Sequence, residues 1–283
     1  MTDPETADPS NDASRAVHQA RGEQMLGSMK EGLRTIVGAV LIALFLRSFG
    51  YEPFNIPSES MLPRLYVGDY LFVAKWPYGY SRYSFPMGPP IFEGRIAGSA
   101  PERGDVAVFK TPSDNRTDFI KRVIGLPGDI VQMRGGALYL NGDAVPKRRV
   151  ADFVVPQSPN MACLKGEVFV DESGERMCRY LRYEETLPGG RTYFVLDSDP
   201  ASPGDDTAPF VVPEGHYFMM GDNRDNSSDS RFSIAEGGVS FVPAENFVGR
   251  AEIMFFSTDG SASWLLPWTW VSAARWERIG RLF

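Results

Sequence analysis

Two serines and one lysine are the residues of this sequence best spaced to do chemistry. The run Pro57-Ser58-Glu59-Ser60-Met61-Leu62-Pro63 sets two hydroxyls at alternate positions in an otherwise apolar stretch bracketed by prolines. In an extended segment residues i and i+2 face the same way, so one hydroxyl can attack while the other donates a hydrogen bond beside it. A polar turn leading into a strand is the plain alternative. Lys121 lies in Phe119-Ile120-Lys121-Arg122-Val123-Ile124. Strand alternation puts it on one face with Phe119 and Val123, and puts Arg122 on the other with Ile120 and Ile124. An ammonium pressed against apolar neighbours loses hydration, and burial lowers a lysine pKa of ~10.4 by up to roughly 3 to 5 units. A neutral amine can then take a proton from a serine, whereas a solvated lysine does nothing of the kind.

Elimination points the same way. The chain has two histidines, His18 in a polar N-terminal stretch and His216 in an apolar strand-like run, so a Ser-His-Asp triad would have to rest on His216. No His-Glu-x-x-His run is present, and neither Cys163 nor Cys178 has a nucleophile-like context. With no third cysteine and no neighbouring histidine they complete no zinc site. A disulfide between them is expected if the domain is extracytoplasmic, and two free thiols otherwise. Residues 221–231 (GDNRDNSSDSR) form a dense polar cluster suited to orienting other groups. Asp225, Ser227, Asp229 and Glu236 fall at positions 1, 3, 5 and 12 of a calcium loop. Ser230, however, stands where that loop needs glycine, and no flanking helices are evident. No cofactor or metal is expected.

The elements that must position these groups are short strands. The chain has 283 residues, 43% of them hydrophobic, with 28 Gly, 22 Pro, 11 Tyr and 19 Phe, a mixture typical of strands joined by tight turns. The runs 71–74, 106–109, 119–124, 217–220 and 251–256 read as strands. Asn141-Gly142 reads as a hairpin tip. A mainly β, antiparallel fold follows. The 29 basic against 36 acidic residues leave a charge of −7 and no basic stripe to track a phosphate backbone, so nucleic acid is not an expected partner.

Residues 1–28 are polar and free of aromatic residues, and read as a disordered tail. Residues 36–46 (IVGAVLIALFL) are uninterrupted apolar sequence within a segment, 29–51, long enough to span a ~30 Å hydrocarbon layer as a helix. The absence of a small-residue cleavage site argues for a retained anchor over a cleaved signal. Arg21, Lys30 and Arg34 upstream, against Arg47 and Arg64 downstream, lean the N-terminus toward the cytoplasm. The remainder, 52–283, is then the periplasmic domain, and its more polar stretch at about 150–212 reads as an inserted subdomain. Residues 264–270 (WLLPWTW), followed by Arg275, Arg278 and Arg281, suit either a membrane interface or ordinary packing.

Taken in order, the run from Pro57 to Leu65 (PSESMLPRL), Lys75, Arg103-Gly104-Asp105-Val106, residues 119–129 (FIKRVIGLPGD) and residues 221–231 resemble the motif boxes of bacterial type I signal peptidases. The resemblance covers the anchor and most of the chain to about residue 256. It implies an antiparallel signal-peptidase-like β fold with a β-rich insertion, preceded by one transmembrane helix. It further implies a membrane-bound serine endopeptidase in which Ser60 is the nucleophile, Lys121 the general base, and Ser58 with the Ser60 backbone N–H the oxyanion hole. By the same resemblance Ser227 orients the lysine amine, and Asp229, Arg231, Asp222 and Arg122 are supports. Phe54, Ile56, Pro57, Met61, Leu65, Phe119 and Ile120 would receive the small side chains before the scissile bond, and Glu59 occupies a permissive position. The implied partners are secretory preproteins with Ala-x-Ala-type cleavage sites and membrane lipid, acting on a monomer at the bacterial inner membrane. Two other readings stay open: a maturation protease with the same pair and a narrower substrate, and a non-catalytic, membrane-tethered β scaffold.

Overall fold

The computed structural model describes residues 9–283 except Met87, Ile91 and Trp264, with side chains described from Gly27 onward, Ser28 excepted. Contacts divide the chain into two units, Met1–Arg47 and Ser48–Phe283.

The first unit is carried by helix α1, Pro9–Phe49. It begins inside the stretch read above as a disordered tail; residues 1–8 of that stretch lie outside the described residues. Ala, Arg, Gln, Glu and Met, all good helix formers, make up nine of the fourteen residues from 13 to 26, so the apolar helix extends backwards through them. Its segment Met29–Phe49 is 21 residues long and apolar enough to cross a membrane. At a rise of about 1.5 Å per residue it reaches about 30 Å. Leu33, Ile36, Ile42 and Phe45 are all exposed, unlike the side chains of a core helix. The apolar segment ends two residues before the anchor bound drawn from sequence, because Tyr51 already opens a strand.

The second unit is mainly β. Among the described residues its largest sheet has seven strands: β1 (Tyr51–Asn55), β2 (Asp69–Ala74), β3 (Val106–Lys110), β4 (Asp118–Gly125), β5 (His216–Met220), β6 (Val242–Pro243) and β7 (Phe247–Ser257). Their order is β1-β2-β7-β3-β4-β5-β6, with every pairing antiparallel. The five runs read as strands in the sequence lie within β2, β3, β4, β5 and β7. β4 is an inner strand, with Lys121 opposite Ala107 of β3 and Arg122 opposite Met220 of β5. Valines, phenylalanines and methionines alternating along β3, β4, β5 and β7 fill both faces of the sheet. Val73, Phe109, Ile124, Phe218 and Phe247 are fully buried.

Smaller sheets flank it. The Asn141-Gly142 tip joins Ala137–Leu140 to Asp143–Ala144, with both turn residues at positive φ (56° and 92°), as a tight hairpin turn requires. In the region of the expected insertion, Phe153–Pro156, Glu167–Val170 and Arg176–Tyr180 form one three-stranded sheet. Arg182–Thr186 and Thr192–Leu196 form a second with Lys147–Arg149, a strand that lies just before residue 150. The C-terminal segment carries a short helix, α2 (Thr269–Ala273), with Trp268, Trp270 and Trp276 exposed. Two of its arginines are occupied within the fold. Arg278 is buried in an ion pair with Asp69, and Arg275 donates to the Val67 carbonyl.

Candidate active site

Ser60 sits in a single 3-10 turn, Glu59–Met61, just beyond β1. The chain segment that leaves β5 clasps this turn. The Asn223 backbone N–H donates to the Ser60 carbonyl at 3.1 Å, and its side-chain amide donates to the Glu59 carbonyl at 3.1 Å. Gly221 is required for the approach, since a Cβ there would lie 2.6 Å from the Ser60 carbonyl oxygen and 2.2 Å from Ser227 Oγ. Polar residues after β5 are therefore part of the mounting of the Ser60 turn, although more than 160 positions separate them in sequence.

Lys121 reaches the same point from the middle of β4. Its Nζ lies 2.7 Å from Ser60 Oγ, within the range for direct proton transfer. Ser58 Oγ lies 3.3 Å from Ser60 Oγ on the exposed side of the turn. Lys121 is only 4% exposed, and the Phe119 ring centroid lies 5.3 Å from the amine. Burial lowers its pKa to about 8, with Asp229 and Asp222 opposing and Arg231 assisting. The desolvated amine anticipated from strand alternation is thus realised geometrically, because β3 and β5 close over both sides of β4.

Two buried ion pairs flank the amine. Arg122 binds Asp222 through two bonds of 2.8 and 2.6 Å, donates to the Gly104 carbonyl at 2.7 Å, and places its guanidinium over the Tyr193 ring. Asp229 accepts from Arg231 at 2.9 and 3.0 Å and from the Gly221 N–H at 3.0 Å. Burial opposes ionisation of Asp229, but Arg231 and these donors outweigh it and hold the carboxyl below its usual range. Both Asp229 oxygens are thereby committed, and Glu236 caps the Ser233 N–H. The calcium loop considered from spacing is not formed by those residues.

Ser227 departs from the role the resemblance implied. Its Oγ is buried against Gly221 and, among the described residues, has no hydrogen-bond partner, while the Lys121 amine is directed at Ser60. Of the expected pocket residues, Ile56, Met61 and Leu65 belong to one apolar cluster with Phe54 and Ile120 at its margin. Phe119 packs against the neighbouring cluster on the other face of β4, and Pro57 is exposed. His216 opens β5 and its Nδ1 lies 2.9 Å from the Glu214 carbonyl, remote from this constellation in role.

Several supports were not foreseen. Glu59, assigned a permissive position, is 3% exposed; its carboxylate accepts from the Cys163 and Leu164 N–H groups at 3.0 and 2.9 Å and from the Tyr180 hydroxyl at 3.1 Å. Cys163 and Cys178 are joined, with Cα atoms 5.7 Å apart, so the Ser60 turn is tied to a crosslinked loop. Arg224 forms a fully buried pair with Glu185 at 2.9 and 2.6 Å. A cavity of about 670 Å³ is lined by Arg64, Arg122, Arg182 and Arg191, and neither Ser60 nor Lys121 lines it.

Residues 29–256 match the protein family described as signal peptidase, peptidase S26. A signal peptidase I of Rickettsia typhi is 37% identical over 242 residues, covering 82% of this chain and 81% of that protein. A signal peptidase I of Rickettsia conorii is 39% identical over 230 residues, covering 77% and 76%. A solved signal peptidase I from Enterococcus faecalis is 27% identical, covers 54% of this chain and 97% of its own, and superposes with a TM-score of 0.29.

Proposed function

The chain belongs to the peptidase S26 family of signal peptidases, and we propose that it hydrolyses the signal peptides of secretory preproteins with Ser60 as nucleophile and Lys121 as base. The family accounts for the hydrolase activity and for the class of substrate. The observation that carries the dyad is the 2.7 Å approach of a buried, low-pKa amine to one serine hydroxyl.

In the proposed reaction, the neutral Lys121 amine takes the Ser60 proton as Oγ attacks the carbonyl of the residue before the cut. The resulting ammonium protonates the departing amine, leaving an ester on Ser60, and the same amine then activates water to hydrolyse it. Ser58 Oγ and the Ser60 N–H would donate to the oxyanion, whose charge appears only in the transition state. Ser227 keeps an unspent hydroxyl within the buried mounting, so its oxygen could accept a hydrogen bond from Lys121 once the amine is charged. Phe54 and Ile120, half-buried at the margin of the apolar cluster of Ile56, Met61 and Leu65, would receive small uncharged side chains of the Ala-x-Ala kind, with Pro57 and Phe119 bordering them.

Met29–Phe49 would hold the enzyme in the inner membrane as a single pass, N-terminus in the cytoplasm and catalytic unit in the periplasm. An anchored enzyme meets an anchored substrate at high effective concentration. The test is cleavage of a preprotein by the purified full chain, with the new N-terminus sequenced. Wild type should cut after Ala-x-Ala and Ser60→Ala should not, with its thermal transition unchanged. Undiminished cleavage by folded Ser60→Ala would refute the assignment.

A further inference from the structure

The loop that leaves the strand Thr192–Leu196 is rich in carboxylates, reading Asp197-Ser198-Asp199-Pro200-Ala201-Ser202-Pro203-Gly204-Asp205-Asp206. Asp197 and Asp205 of this loop meet Asp225 of the polar segment after β5. One carboxylate oxygen from each lies within 4.8 Å of the others. Like charges at that spacing repel by a few kcal/mol at the effective dielectric of a protein surface, so the cluster needs a compensating charge or donors.

Most of that compensation is missing. Lys147 Nζ binds Asp197 Oδ2, and the N–H groups of Ser198 and Asp199 donate to Asp225 Oδ2 at 2.6 and 2.9 Å. Asp225 Oδ1 and Asp205 Oδ1 are both buried and, among the described residues, have no hydrogen-bond partner. Asp205 is only 5% exposed. The nearby Arg231 is already paired with Asp229. Buried polar atoms are almost always satisfied, so two unsatisfied carboxylate oxygens in one cluster leave acceptor capacity that a bound cation can take up.

We propose that Asp197, Asp205 and Asp225 bind a hard divalent cation, with calcium favoured over magnesium. Three carboxylates set against one lysine leave an excess negative charge that a divalent ion offsets. Calcium accepts protein oxygens at 2.3 to 2.6 Å, so ligands on opposite sides of the ion stand about 5 Å apart, which accommodates the observed cluster. Magnesium prefers to keep several waters and fits a three-carboxylate protein cage less well. The ion would pin the carboxylate-rich loop to Asp225, which stands two residues before Ser227. Flanking Asp225 is Arg224, whose pair with Glu185 anchors the same turn. The site is therefore a brace for the segment after β5 that clasps the Ser60 turn, and ion binding there stands independently of the Ser60–Lys121 assignment.

The full chain, purified in detergent and stripped with a chelator, is titrated with calcium chloride and with magnesium chloride by calorimetry and thermal melting. Calcium should bind with a dissociation constant of roughly 0.1 to 1 mM, in the range of extracytoplasmic calcium modules, and raise the transition temperature saturably. Magnesium should bind at least about tenfold more weakly, on the coordination argument above. Asp205→Asn should abolish both the heat and the shift, yet melt no lower than wild type without metal, since it removes repulsion. The exposed substitution Glu172→Gln should keep the full response. Absence of any calcium response in wild type at about ten times the upper expected constant, or an equal response in Asp205→Asn, would overturn the proposal.

Discussion

A buried amine must weaken the fold that holds it, and Lys121→Met measures by how much. Between its ordinary pKa of 10.5 and the value of about 8 that burial imposes, the Lys121 amine is penalised by roughly 3 kcal/mol at about 1.4 kcal/mol per unit. Replacing it with an apolar side chain of similar length removes that penalty and loses one hydrogen bond to Ser60, worth about 1 kcal/mol. The net expectation is about 2 kcal/mol of added stability, or roughly 4 to 8 °C for a unit of this size. The sign with pH follows from proton counting. Between pH 8 and 10.5 the unfolded chain holds the lysine proton and the folded chain does not, so wild-type stability rises with pH across that window. The advantage of Lys121→Met should therefore be full below pH 8, shrink as pH rises, and change sign before about 10.5, above which only the lost hydrogen bond of about 1 kcal/mol remains. Melting curves of both proteins, in the same detergent from pH 6 to 11, read this directly. A variant less stable than wild type at neutral pH, or a gap that does not change with pH, would refute the claim that the amine is held desolvated.

Three further outcomes follow from the site. The acidic limb of kcat/KM against pH should have a midpoint near the Lys121 value of about 8, with rates rising as the amine loses its proton; a limb in the carboxylate range would point to another base. Ser58→Ala should lower kcat by roughly 100- to 1000-fold, the loss typical of one oxyanion donor, while KM changes little. Glu59→Gln should lower kcat and the melting temperature together, because its carboxylate loses charge-assisted bonds from Cys163 and Leu164, and each such bond is worth about 1.5 to 3 kcal/mol. A Glu59→Gln enzyme with wild-type kcat and melting point would show that the turn is held without the cysteine loop.

The sequence was most informative where the signal was local. Alternating apolar residues marked β2, β3, β4, β5 and β7, because a two-residue period is set by strand geometry alone. That same period put Lys121 against Phe119, and the proline-bracketed serines stood out from apolar neighbours. Long-range pairing left no comparable trace. Arg224 meets Glu185 across 39 positions, Tyr180 meets Glu59 across 121, and Arg278 meets Asp69 across 209. Each partner alone reads as an ordinary polar residue, and only the folded chain shows that its charge is buried. Ser227 illustrates the converse, since a motif position fixes a residue type but not the rotamer of its hydroxyl.

The central claim is an ester formed on Ser60 with Lys121 as its base. The direct measurement is acid-quenched single turnover of a preprotein by the full-length enzyme, followed by intact mass and peptide mapping. An adduct of the signal peptide, esterified through its new C-terminal carbonyl, is expected on the Ser60 peptide once the mature part has departed, and is expected to be absent in Ser60→Ala and in Lys121→Met. Full cleavage with no adduct at any quench time, or an adduct on another residue, would contradict it.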